Sequence, residues 1–231
     1  MRCRYLAAVF AAVAGCSNLT EEGGIAGLEV RVPRPPVVEV GQTIQLSARA
    51  LDRKGDSVGA AITWLTPDTT VILTPTGLLT GRTGGATARV QAQVNSLVSD
   101  FVTFTVNPHP DTLKLVGDSI FVVAAGVVSS APLVASLQSF VPPMALSGDV
   151  ITYSIVEPVF ADPGQRTVEL PGGVLTLDAV TGLDGSPSSP VTLNRVTGVT
   201  SPDSAIVTVS ALTASGATVP GSGQRFIVRF Q

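Results

Sequence analysis

Thr87-Ala88-Arg89-Val90-Gln91-Ala92-Gln93-Val94 alternates polar and small apolar residues without a break. A period of two puts Ala88, Val90, Ala92 and Val94 on one face and Thr87, Arg89, Gln91 and Gln93 on the other. That is the pattern of a half-buried antiparallel strand. The same period recurs on either side. Upstream, Ile44, Leu46, Ala48 and Ala50 alternate with Thr43, Gln45, Ser47 and Arg49. Downstream, Val102, Phe104 and Val106 alternate with Thr103 and Thr105. Turn signals fall between these runs at the spacing a β-sandwich requires: Gly41-Gln42, Arg53-Lys54-Gly55-Asp56, Thr66-Pro67-Asp68, Thr76-Gly77 and Gly84-Gly85. Pro33, Pro35 and Pro36 interrupt the first strand, which an edge position tolerates because edge amides need not all donate. Trp64, the only tryptophan, shares a strand face with Ile62 and is expected in the core.

Beyond Asn107-Pro108-His109-Pro110-Asp111, a stiff polar break, strand-like segments resume. They are expected at residues 119–123, 133–140, 150–156, 166–170, 174–177, 191–196, 205–212 and 225–230. Ile151, Tyr153 and Ile155 alternate with Thr152 and Ser154; Phe226, Val228 and Phe230 alternate with Arg225, Ile227 and Arg229. Eight short strands with Gly, Pro and Ser breaks read as a second sandwich. Residues 185–190 and 220–223 are the expected exposed loops. The apolar run from Ile120 to Leu137 has two readings, a membrane span or two strands joined by a turn. Gly126, Ser129, Ser130 and Pro132 favour the second.

Composition narrows the function classes. Charged residues make up 13% of the chain, about half the usual share, and the net charge is −3. The 14 basic residues are scattered along the chain and form no basic patch, so nucleic acid is not an expected partner. Val, Thr, Ala, Ser, Gly and Pro dominate, the vocabulary of strands and turns. Both cysteines, Cys3 and Cys16, lie in the first sixteen residues, which leaves the remainder without a disulfide or a cysteine metal site.

The N-terminus reads as an address. Arg2 and Arg4 precede the apolar run Leu6 to Ala12, which is too short to span a bilayer. Val13-Ala14-Gly15-Cys16 then resembles the lipobox of bacterial lipoprotein precursors. That resemblance implies cleavage before Cys16, lipid on its thiol, and membrane attachment by several acyl chains. The alternatives are an ordinary signal peptide with an incidental cysteine, or a retained N-terminal helix. Ser17 after the cysteine favours the outer membrane or cell surface over the inner membrane, by analogy. Residues 16–27 read as the lipidated cysteine and a flexible tether, eleven residues of which reach at most about 35–40 Å.

A second resemblance is more specific. Val40-Gly41-Gln42-Thr43-Ile44-Gln45-Leu46, Ile62-Thr63-Trp64, Gly77-Leu78-Leu79-Thr80-Gly81 and Gly85-Ala86-Thr87-Ala88 resemble, in order and spacing, the bacterial immunoglobulin-like group 2 domain. Leu65 stands where that family often has Ser. The second half resembles the invasin-type immunoglobulin-like domains, without a comparable motif. The expected organisation is therefore all-β: signal peptide 1–15, tether 16–27, one immunoglobulin-like sandwich over 28–107, a linker at 108–111, and a second sandwich over 112–231.

Side chains that could carry chemistry are few. His109, the only histidine, is expected as an exposed linker residue, and a Ser–His–Asp triad needs a buried, oriented imidazole with a nucleophile in reach. Asp52 and Asp56 flank a hairpin turn and Asp184-Gly185 marks another. Loop calcium is the alternative to simple turn formation, but calcium needs six to eight converging oxygens. Gly81-Arg82-Thr83-Gly84-Gly85 lacks the Lys-Ser/Thr ending of a phosphate loop.

No catalytic residue, metal or cofactor is assigned. The expected function is a lipid-anchored structural or adhesive module of the cell envelope, meeting the membrane through Cys16 and an unidentified protein or glycan partner. The alternatives are a carbohydrate- or ligand-binding module, and an assembly subunit joined by strand addition through residues 225–230 or the proline-interrupted first strand.

Overall fold

The computed structural model describes residues 24–160, 162–200 and 202–231. The lipobox residues Val13, Ala14 and Gly15, the lipidation candidate Cys16, and most of the tether lie outside the described residues. Among the described residues the chain is almost entirely strands and turns, with a short 3-10 turn at Pro163–Gln165.

The first half runs β1 (Gly27–Arg31), β2 (Val37–Glu39), β3 (Thr43–Gln45), β4 (Ser47–Leu51), β5 (Ser57–Val58), β6 (Thr63–Leu65), β7 (Val71–Leu73), β8 (Leu78–Gly81), β9 (Ala86–Val94), β10 (Leu97–Val98) and β11 (Val102–Asn107). One sheet is ordered β10-β9-β11-β2, with β6 also paired to β9. The sheets β1-β4-β5 and β3-β8-β7 complete the sandwich. On β9, Ala88, Val90 and Ala92 are fully buried while Thr87 and Arg89 are exposed, so the alternation reads as an inner and an outer face. On the outer face Asp68 accepts from the Arg89 backbone amide and guanidinium, which holds its carboxyl below the ordinary aspartate value.

Trp64 lies across from Ala92 in β9 and is buried. The small alanine leaves room for the indole, and Gly77 closes over it. Gly77 has φ +88°, and a Cβ there would sit 2.6 Å from Trp64 Nε1. Both the backbone conformation and the contact therefore require glycine.

The run Thr43–Ala50 differs from its expected form. It is two strands in two sheets: β3 pairs with β8, and β4 pairs with β1. The crossover falls at Leu46, whose N–H donates to the Gly77 carbonyl (2.8 Å), while Gln45 Nε2 donates to the Leu46 and Thr76 carbonyls. The side-chain period survives because the chain changes partners without changing direction.

The second half runs β12 (Thr112–Leu115), β13 (Ile120–Val123), β14 (Ala135–Phe140), β15 (Pro143–Ala145), β16 (Val150–Glu157), β17 (Val168–Glu169), β18 (Thr176–Val180), β19 (Asn194–Arg195), β20 (Ser204–Ser210) and β21 (Gln224–Phe230). A sheet ordered β13-β21-β20-β16-β18 faces β12-β14-β15, and β17 pairs with β19. The core is built on Tyr153 and Phe226, whose rings are nearly parallel with centroids 6.4 Å apart. The Tyr153 hydroxyl accepts from the Ala135 N–H (3.2 Å), and burial pushes the phenol up to about 12.

Both halves split their first strand in the same way. β1 is antiparallel to β4 and β2 parallel to β11; β12 is antiparallel to β14 and β13 parallel to β21. The two buried clusters are separate. The fold is all-β, two immunoglobulin-like sandwiches in tandem.

Several expectations for the second half are corrected. β12 and β15 were not expected. Segments 166–170 and 191–196 shrink to the two-residue strands β17 and β19, because Val191 and Leu193 are buried by irregular pairing to Leu133 and Ser130. Burial there produces an apolar alternation without a regular ladder. The run Ile120–Leu137 forms β13 and the start of β14, which lie in different sheets rather than a hairpin. No described helix is long and apolar enough to cross a membrane.

The expected loops 185–190 and 220–223 are exposed at Ser188, Ser189 and Pro190 and at Pro220, Gly221 and Gly223, and each is tied down through its backbone. Gly185 is buried and its carbonyl accepts from Leu137 N–H, and the Pro220 carbonyl accepts from Leu113 N–H. The terminal strand 225–230, expected as a candidate for strand addition, is paired on both sides, by β13 and β20, so it has no open edge.

Gly77→Ala is expected to lower stability by at least about 1–3 kcal/mol, the cost of a non-glycine residue in this backbone region. Gly55→Ala shares the positive φ (+86°) but meets nothing within 4 Å, and should cost less. Urea unfolding followed by Trp64 fluorescence reads both, and equal losses would remove the indole contact from the account.

Candidate functional site

The parallel pairing of β2 with β11 sets Glu39 opposite Asn107, the last residue before the linker. Strand alternation turns Val38 into the first core and Glu39 outward. Glu39 is nevertheless only 5% exposed, because the second half covers it. One carboxylate oxygen, Oε1, lies 2.6 Å from His109 Nδ1, and Oε2 accepts from the Ala214 N–H at 2.6 Å. The backbone N–H of Glu39 donates to Gln42 Oε1 (2.9 Å). A single buried carboxylate thus joins the first sandwich, the linker and a loop of the second.

His109 does not fit the expectation of an exposed linker residue. Its side chain is 40% exposed and docked on Glu39, with Nε2 3.9 Å from Asp111 Oδ1. Asp111 is fixed in turn. Its Oδ2 accepts from the Phe140 N–H (2.6 Å), and its own N–H donates to the Gln138 carbonyl. Around this junction opens a cleft of about 830 Å³ lined by Glu39, Gln42, Thr43, His109, Asp111, Phe140, Val141, Thr213 and Ser215, among others. A smaller hollow of about 330 Å³ on another side includes Asp149, whose carboxyl is pushed up first by burial and then by the Glu39 charge.

Both imidazole nitrogens of His109 face carboxylates. The nearby hydroxyls pair with one another: Thr213 with Ser215 (2.9 Å) and Thr43 with Thr80 (2.8 Å). The arrangement fastens and orients; it does not set a nucleophile against a base. Among the described residues no group of three or more His, Cys, Asp or Glu side chains is placed to hold a metal ion.

The other flagged residues are structural. Asp52 Oδ1 accepts from the Lys54 and Asp56 amides, and Asp184 Oδ1 from Ser186 N–H, each closing its own turn. Gly84 and Gly85 form the turn into β9. Sequence reading passed over Glu39. Its signal was a lone acid within the apolar run Val37-Val38-Glu39-Val40.

No family model matches the chain. No curated protein matches it either. The resemblance of residues 28–107 to group 2 domains therefore rests on the quoted motifs. Solved structures share the architecture loosely. The Yersinia pseudotuberculosis adhesin InvE is 16% identical with a TM-score of 0.43, over 91% of this chain and 61% of that one. The three N-terminal domains of the bacteriophage RB49 outer capsid protein Hoc give 12% and 0.40, over 89% and 70%. The D00-D0 domain of intimin gives 12% and 0.30, over 87% and 96%. The chain spans about three fifths of the adhesin it matches. At these scores the fold class stands on the strand pairing described above, not on the likenesses.

Glu39→Ala is expected to lower stability by about 1.5–3 kcal/mol, the range for hydrogen bonds to a charged group. Glu39→Gln, which keeps an acceptor for the Ala214 amide, should lose less; chemical denaturation compares them. Asp149 gives a pH prediction. Its folded carboxyl titrates above the ordinary value, so between the two values the folded state holds the extra proton and stability falls as pH rises. Asp149→Asn should be the more stable protein at pH 7 and converge with wild type in acid. Parallel stability–pH curves would remove this account.

Proposed function

We propose that the chain is a non-catalytic module of the bacterial cell envelope, held by lipid on Cys16 and presenting two immunoglobulin-like sandwiches as a structural or adhesive stalk. The outer membrane or cell surface is its proposed location.

The observation that carries this reading is the direction of the chain. Thr43 lies beside the junction, the run to Leu51 leads away from it, and Gly27 pairs with Leu51. The tether thus enters the first sandwich at the end remote from the junction, and the second sandwich extends beyond. The Glu39 carboxylate bonds to the linker and the second sandwich, which suits a stalk that must hold its direction. The lipobox Val13-Ala14-Gly15-Cys16 supplies the anchor in this reading. The surface is consistent with it: among the described residues the exposed aromatics, Phe101 and Phe140, lie on different halves.

The test is cell fractionation with protease accessibility of residues 112–231 on intact cells, comparing wild type with Cys16→Ser. Wild type is expected in the membrane fraction and accessible, and the variant released from the membrane. Retention of Cys16→Ser in the membrane would overturn the anchor. Protection of wild type until the outer membrane is opened would overturn the surface location and leave a periplasmic scaffold.

A further inference from the structure

The junction cleft has a feature that the stalk reading does not use. Phe140 and Val141 stand on one wall, 55% and 74% exposed. Beside Phe140 lies Asp111, held there because its Oδ2 takes the Phe140 amide proton. Its Oδ1 faces His109 Nε2 at 3.9 Å, beyond hydrogen-bond reach, and so keeps its accepting capacity. The ionisable residues lining this cleft are Glu39, His109 and Asp111, with no Lys or Arg among the described lining residues.

The chain carries the completed form of this arrangement elsewhere. On the first sandwich the Arg89 guanidinium lies 5.6 Å over the Phe101 ring and is paired with Asp68 at 2.9 Å. Acid, cation and aromatic face form one stack, combining charge pairing with attraction of the cation to the ring. At the cleft the acid is bonded to the backbone of the residue that bears the exposed ring, and no described arginine or lysine lines it. Charge complementarity therefore selects a cation, and the exposed Val141 beside it selects one with apolar neighbours.

We propose that this cleft docks a basic, partly apolar peptide segment of a partner protein, with a Lys or Arg side chain laid over Phe140 and its charge at Asp111. Glu39 is already bonded to His109 and Ala214, so it contributes long-range negative potential rather than a direct contact. The site does not depend on the lipid anchor, so its failure and that of the stalk reading are separable.

The test uses the full chain purified in nonionic detergent and fluorescein-labelled Val-Arg-Val-Arg-Val-amide, read by fluorescence anisotropy. The same peptide with Glu for Arg is the control. Saturable binding of the Arg peptide alone is expected, weakening as salt rises. Asp111→Asn should weaken it at least tenfold. Phe140→Leu, which keeps an apolar body but no ring, should weaken it several-fold. Asp118→Asn, exposed and outside the cleft lining, should leave it unchanged, with melting curves confirming that each variant is folded. Equal binding of the Glu peptide, no saturation up to millimolar peptide, or indifference to both cleft variants would overturn the proposal. A concentration-dependent dimer dissolved by Asp111→Asn would also overturn it, assigning the cleft to a second copy of this chain.

Discussion

Each sandwich closes by the parallel pairing of a late piece of its first strand with its last strand. In the first half β2 pairs with β11, and in the second β13 pairs with β21. Without that pairing the last strand would carry an unpaired edge and the two sheets would be joined only through turns. The constraint reaches beyond each sandwich. Because β2 runs beside β11, Glu39 arrives next to Asn107, and the linker leaving Asn107 must pass it. His109 is two residues further on and lands on the carboxylate.

The junction is thus a by-product of closure, turned to use by one buried charge. Burying a carboxylate is costly unless its oxygens are bonded, and here both have partners in different parts of the chain. Moving the second sandwich away would strip Ala214 from Oε2. The geometry that satisfies Glu39 therefore also fixes the direction of the second sandwich. Burial, and after it the Glu39 charge, raises the Asp149 carboxyl, so part of the cost of this junction is carried by a neighbouring acid.

The cores are solved differently in the two halves. The first packs one indole between a small Ala92 and a glycine, and the second stacks Tyr153 on Phe226. With few charged residues, the outer strand faces carry mostly Thr, Ser and Gln. That scarcity makes the acidic, aromatic wall at Phe140 a distinct feature of the surface.

The sequence by itself determined the fold class and most of the first sandwich. Alternation in β9, β11 and the Thr43–Ala50 run is a local consequence of one dry and one wet face, so it can be read without partners. Turn chemistry at Asp52 and Asp184 was legible for the same reason. What the sequence could not settle was pairing. The split at Leu46, the hydrogen bond that ties Gly185 to β14, the double pairing of β21 and the short β17 and β19 all depend on which backbone groups meet at long range. The period of two is the same whichever neighbour a strand takes. Glu39 is the sharpest instance: strand alternation alone would leave it outward and wet, and only the second sandwich, arriving from 175 residues along the chain at Ala214, made it buried and bonded.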